Sequence, residues 1–222
     1  MRFPIKVTAV VLGALALGAC SEADTDLLGP SEMQVSEARS SNASPKKSDT
    51  PIAVLAGDEG FLELVGALSY VDDELNTGLV DLFLSGKDQY TVFAPTDEAF
   101  QGLYDLLTGL NLVIGPVDDI RDLPADLVLD VLFYHVVEGR RGANSVVPKN
   151  GERTITPLLG ETFDVVLGDE GAEILDGLFG LRPNAKITEA DLSASNGIIH
   201  KIDQVIVPPS VAATVLSLIV ES

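Results

Sequence analysis

A chain of 222 residues, 46% of them hydrophobic, can bury one good core but is short for two large domains. Asp and Glu outnumber Lys and Arg by 34 to 14, a formal net charge of -20, and no basic stripe is present that could neutralise phosphates. That balance argues against nucleic acid as a partner and against electrostatic docking on anionic lipid.

The first residues read as an export signal. Arg2 and Lys6 form a basic start, Val7 to Ala19 is an apolar run of 13 residues, and small residues follow. The run is too short for the roughly 20 residues that span a bilayer. Leu17-Gly18-Ala19-Cys20 resembles the bacterial lipobox, in which the cysteine is lipidated and becomes the new N-terminus. That resemblance makes residues 1–19 a lipoprotein signal peptide and Cys20, the single cysteine, a lipid-bearing residue. Ser21 where an Asp would retain the protein implies outer-membrane sorting in a two-membrane bacterium. Cleavage would remove Arg2 and Lys6 and no acidic residue, so attachment to a membrane would rest on acyl chains, worth about 0.8 kcal/mol per buried CH₂. Residues 20–50 hold no aromatic residue and many Ser, Asp, Glu, Asn and Lys residues. Such a composition predicts a disordered tether with a root-mean-square reach of about 30 Å.

Order is expected from Pro51. Phe61, Leu64, Val65 and Leu68 recur at helical spacing, and Leu75, Leu79, Leu82 and Phe83 predict a second helix that Gly86 ends. Tyr90 to Ala94 alternates as a short strand stopped by Pro95. Thr96 then caps a helix whose dipole Asp97 and Glu98 complement, with Phe100, Leu103, Tyr104 and Leu107 as its buried stripe. Asn111 to Asp122 reads as a long apolar loop. Pro124 opens a helix expected to pass into a strand over Tyr134 to Val137, ended by Gly139. Thr154 to Thr156 and Glu161 to Leu167 read as short strands of a meander. Within Ile174 to Leu181, Leu175, Leu178, Phe179 and Leu181 form an apolar patch. Asn196 to Pro209, NGIIHKIDQVIVPP, reads as a strand apolar on both faces, opened by an Asn-Gly pair suited to positive φ and closed by two prolines. Residues 210–222 are expected to form a short terminal helix.

Three segments carry a resemblance. NGIIHKIDQVIVPP is similar to the second signature box of the fasciclin-type (FAS1) domain, a cell-surface adhesion module. Upstream, YTVFAPTDEAF (Tyr90 to Phe100) is similar to its first box and LFYHVVEG (Leu132 to Gly139) to its central Tyr-His segment. The three stand in the family's order at roughly its spacing, with Asn111 to Asp122 and Ile174 to Leu181 departing from the pattern, and the resemblance covers residues 51–209 as one copy. It implies an α+β domain, a β-sandwich or wedge of short strands with helices around one edge and end. It also implies possible interaction residues at Asp97, Tyr134 and His135, since adhesion in some relatives is placed in these boxes. Tyr134 and His135 stand among Leu132, Phe133, Val136 and Val137, which also fits a buried, hydrogen-bonded role.

Chemistry-bearing motifs are otherwise sparse. There is no G-x-S-x-G elbow, phosphate-binding loop or H-E-x-x-H, and no cysteine pair for zinc. The two histidines, His135 and His200, would need a nucleophile and an acid beside them, and Ser193, Ser195 and Asp203 qualify only by abundance. Asp72-Asp73-Glu74, Asp118-Asp119 and Asp169-Glu170 lack the oxygen spacing of a calcium loop. No enzyme activity, metal or cofactor is expected. The sequence therefore reads as a lipid-anchored module of the cell envelope, at the outer membrane or cell surface, binding a matrix or surface protein or glycan. The alternative is a carrier or sensor of a small apolar ligand, with Val113, Ile114, Leu178 and Phe179 as its surface.

Overall fold

The structure is a computed structural model that describes residues 48–110, 116–178, 180 and 182–220, the last six through their backbone alone. The leader, Cys20, most of the tether, Val113, Ile114 and Phe179 lie outside the described residues.

Strand β1 (Tyr90–Pro95) joins the N-terminal helices to a sheet built almost wholly from the second half of the chain. The other strands are β2 (Val136–Glu138), β3 (Glu152–Ile155), β4 (Phe163–Gly168), β5 (Gly171–Leu175), β6 (Ala185–Ala194) and β7 (Gly197–Ile202). Their order is β2-β1-β7-β6-β5-β4-β3, with β1 parallel to β7 and every other pair antiparallel. β7 is thus interior, which is why it is apolar on both faces. Ile199 faces one cluster with Val92 and Ala94, while Ile202 faces a second with Phe93, Phe163 and Val165. The fold is a sheet wedge with helices around it, as the resemblance implies.

The helices are α1 (Ile52–Asp58), α2 (Leu62–Leu75), α3 (Leu79–Ser85), α4 (Asp97–Gly109), α5 (Ala125–Tyr134), α6 (Ala143–Val146) and α7 (Pro209–Val220). α2 and α3 divide where sequence spacing suggested that Leu75 and Leu79 share one helix. Asn76 and Gly78 take φ of 52° and 74°, and Asp72 turns back to accept from the Leu79 and Val80 amides at 2.9 and 3.0 Å. The Asp72 carboxylate thereby serves the orphan donors at the start of α3. A hydrogen bond from Thr77, together with these amides, holds its pKa below the usual carboxylate range against the effect of burial.

Two further readings are corrected. Tyr134 closes α5 and is not in a strand; β2 begins only at Val136, after His135 has turned the chain. The strand of the final box ends at Ile202, not at the prolines. There Asp203 exchanges two bonds with Lys186, its amide donating to Lys186 O and its carboxylate accepting from Lys186 N. The next residues leave the ladder and are held by side chains instead. Ile206 N donates to His135 Nε2 at 3.1 Å, Val207 N to Asp176 Oδ2 at 2.8 Å, and Arg182 donates to Val205 O at 2.6 Å. Val205, Ile206 and Val207 can therefore each enter a different apolar cluster.

The Asn-Gly pair also differs from expectation, for neither residue has positive φ. Gly197 is required by close approach, because a Cβ there would lie 2.1 Å from Tyr90 O. Asn196 is buried, accepting from Ile52 N at 2.8 Å and donating to Phe83 O at 2.9 Å. One side chain thus ties the start of α1 and the end of α3 to the entry of β7.

Candidate functional site

The Tyr-His pair sits where α5 meets the sheet, and both residues are buried. Tyr134 donates to Thr162 O at 2.9 Å. His135 donates from Nδ1 to Val131 O at 2.7 Å, one helical turn back, and accepts Ile206 N at Nε2. Both nitrogens are committed, and the geometry fixes a neutral ring protonated at Nδ1. Burial, opposed by the Val131 bond and reinforced by the Arg182 charge, lowers its pKa from 6.5 to about 4. His200 is the converse tautomer, donating from Nε2 to Arg141 O at 2.9 Å and accepting Asp191 N at Nδ1. The positive φ of Asp191, 66°, bends β6 so that its amide reaches that ring. The two histidines flank Phe93, which pairs with His200 in register and whose amide donates to His135 O. They are brought near one another but locked in opposite senses to the backbone.

The other candidates are likewise engaged. Asp97 is half-buried and accepts the Glu63 amide at 2.9 Å, so it caps α2 from the neighbouring helix while Thr96 caps α4 through Ala99 N. Glu63 in turn accepts from Tyr104 at 3.0 Å, and burial followed by that contact raises the Tyr104 phenol far above 10. Ser193 accepts from Arg140, which also donates to Ala194 O and Gly197 O across the β6–β7 turn. Asp203 accepts from the Lys186 amide, whereas the imidazole nitrogens bond Val131 O, Ile206 N, Arg141 O and Asp191 N. Among the described residues no buried polar side-chain atom lacks a partner, and no group of three or more His, Cys, Asp or Glu is placed to hold a metal.

Apolar residues of the helices and of the segments beside them enclose a cavity of about 470 Å³. α2 contributes Leu64 and Ala67, α4 Phe100, Leu103, Leu106 and Leu107, and α5 Leu127, Val128, Val131 and Leu132. Ile120 and Leu123 close one side, while Val205, Val207, Leu178 and Val211 close another. His135 also touches it, but with both nitrogens spent its ring offers the space neither a donor nor an acceptor. Leu178, expected at an apolar ligand surface, is buried and forms part of this wall. Most of the other wall residues, on α2, α4 and α5, belong to apolar helical stripes. Their stripes are visible as periodicity, whereas the gap between helices depends on splay, which periodicity does not encode.

The fasciclin domain model matches residues 61–208, which takes in the first two boxes and all of the last but Pro209. The chain belongs to the fasciclin (FAS1) domain family. Protein sll1483 of Synechocystis is 35% identical over 182 residues, covering 80% of this chain and 85% of that protein. Immunogenic protein MPB70 of Mycobacterium bovis is 30% identical over 204 residues, covering 90% and 92%. A solved FAS1 domain pair from the insect cell adhesion molecule Fasciclin I aligns with TM-score 0.53 at 14% identity, over 73% of this chain and about half (52%) of that one, and shares the fold. In this FAS1 domain the box residues Thr96, Asp97, Tyr134, His135 and Asn196 all bond backbone groups through their side chains.

Proposed function

We propose that this FAS1 domain is a non-enzymatic interaction module, exported and held at the outer membrane or cell surface by a lipid on Cys20, that binds a matrix or surface protein or glycan. The observation that carries this reading is the fasciclin match over two thirds of the chain, in a family whose solved relative Fasciclin I is described as a cell adhesion molecule. The mammalian relative named transforming growth factor-beta-induced protein ig-h3, 28% identical over 168 residues in the rabbit, spans 73% of this chain with 20% of its own length. This is how a module reused in larger proteins looks. The histidines support the reading too, since neither imidazole has a nitrogen left for proton transfer. No helix among the described residues is long and apolar enough to cross a membrane.

The mechanism is avidity. Many tethered copies, each making weak contacts, raise one another's effective concentration at a surface, and the segment 20–50 sets the reach. Adhesion and biofilm cohesion are to be compared between producing cells with the wild-type chain and cells in which residues 51–222 are deleted behind an intact leader and tether. The deletion abolishes the chain's contribution; unchanged adhesion and cohesion refute the proposal.

A further inference from the structure

We infer that the cavity between α2, α4, α5 and α7 binds a single alkyl chain with an uncharged head, the chain inside and the head at the rim. The inference goes beyond the adhesive reading and stands or falls apart from it.

The walls decide the chemistry. Among the described lining residues none is charged and Phe100 is the one phenyl ring, while the rest of the surface is dominated by Leu and Val from four helices. A flexible aliphatic chain meets such walls by dispersion contact on every side, whereas a sugar or a charged group would lose its hydration with nothing to replace it. At the floor water gains no side-chain partner either, because His135 is fully engaged, and the one hydroxyl among the described lining residues, Thr214, stands at the exposed rim. At about 470 Å³ the space falls within the ordinary range of ligand pockets. A methylene takes up about as much room as a water molecule, roughly 30 Å³, so about fifteen of them fill it.

Direction and head group follow from exposure and charge. The floor is buried, at Leu64, Ala67, Leu132 and His135, and the exposed lining residues are Leu110, Pro124 and Thr214. The head therefore lies by these three. Next to them, the segment that supplies Ile120, Leu123 and Pro124 carries exposed Asp118, Asp119, Asp122 and Asp126 against one cation, Arg121, which is already paired with Asp119 at 3.5 Å. A carboxylate or phosphate head would be repelled there, and an alcohol or glyceride would not.

The test uses the purified full-length chain and two photoreactive probes, 1-tetradecanol and tetradecanoate, each with a diazirine at the tail, at pH 8. The alcohol should label saturably, one per chain, with adducts on the α4 and α5 peptides containing Leu103 to Leu107 and Val128 to Leu132, about tenfold above the carboxylate. Leu127→Trp, at a half-buried wall position, should reduce that labelling at least about tenfold while leaving the far-ultraviolet spectrum unchanged. No saturable labelling, adducts on the outer strands β3 to β5, equal labelling by the carboxylate, or full labelling of a folded Leu127→Trp protein would each overturn the inference. If that variant does not fold, the adduct map on the wild-type chain decides.

Discussion

Replacing Asn196 by alanine tests whether one buried amide fastens the helices to the sheet. The amide satisfies Ile52 N–H at 2.8 Å and Phe83 C=O at 2.9 Å, both in buried surroundings. In Asn196→Ala both backbone groups stay buried and lose their partners, at about 1–3 kcal/mol each, so a loss of about 2–6 kcal/mol is expected. For a domain of this size that corresponds to a fall in Tm of roughly 4–24 °C. The effect should have an address. α1 and α3 are helices of 7 residues, too short to persist without tertiary support, so their amides should exchange far faster in the variant while those of β4 keep their protection. Asn196→Asp separates the two bonds: its carboxylate can still accept from Ile52 N but cannot donate to Phe83 O, so at pH 8 it should be no more stable than the alanine variant. A Tm within 1 °C of wild type for Asn196→Ala, or exchange in α1 and α3 no faster than before, would refute the fastening role.

Three other outcomes are expected. His135 stays neutral when folded down to about pH 4 but takes a proton below 6.5 when unfolded, so its contribution is fully present above pH 6.5 and is lost as pH falls towards 4. That amounts to about 3 kcal/mol, read as the difference between denaturation curves of wild type and His135→Gln at pH 7, 5.5 and 4; parallel curves would contradict it. Asp97→Ala should cost about 1 kcal/mol by uncapping α2, while Asp97→Asn, which keeps an acceptor for Glu63 N, should cost little, and urea midpoints distinguish the two. Equal losses would point to the charge instead of the cap. Gly197→Ala drives a Cβ to within 2.1 Å of Tyr90 O and must part β1 from β7; a loss of about 3 kcal/mol is expected, and a neutral effect on Tm would mean the approach is looser than described.

The legible parts of this fold are those fixed by neighbours in sequence. Tyr90 to Phe100 declares strand, stop and cap within eleven residues, and the structure places β1, Thr96 and α4 as read. Less legible was any boundary set from a distance. α2 ends where it does because Asp72 captures the start of α3, and nothing in the apolar spacing of Leu75 and Leu79 reports that. β7 stops at Ile202 although Val205 and Val207 continue a strand-like pattern, because His135, Asp176 and Arg182 supply the partners a strand would have given. Asn196 was read for its turn propensity, yet its use is as a buried side-chain fastener. Of the cavity only Leu178 is singled out by the sequence, since the helical walls look like any helix core until the helices are set apart.

The proposal that the domain works at the end of a lipid-held tether is tested most directly by intact-mass measurement of the chain extracted from the membranes of the producing cell. It predicts a chain that begins at Cys20 and carries the added mass of its acyl chains. A chain that retains Met1, or one cut elsewhere without lipid, would contradict it.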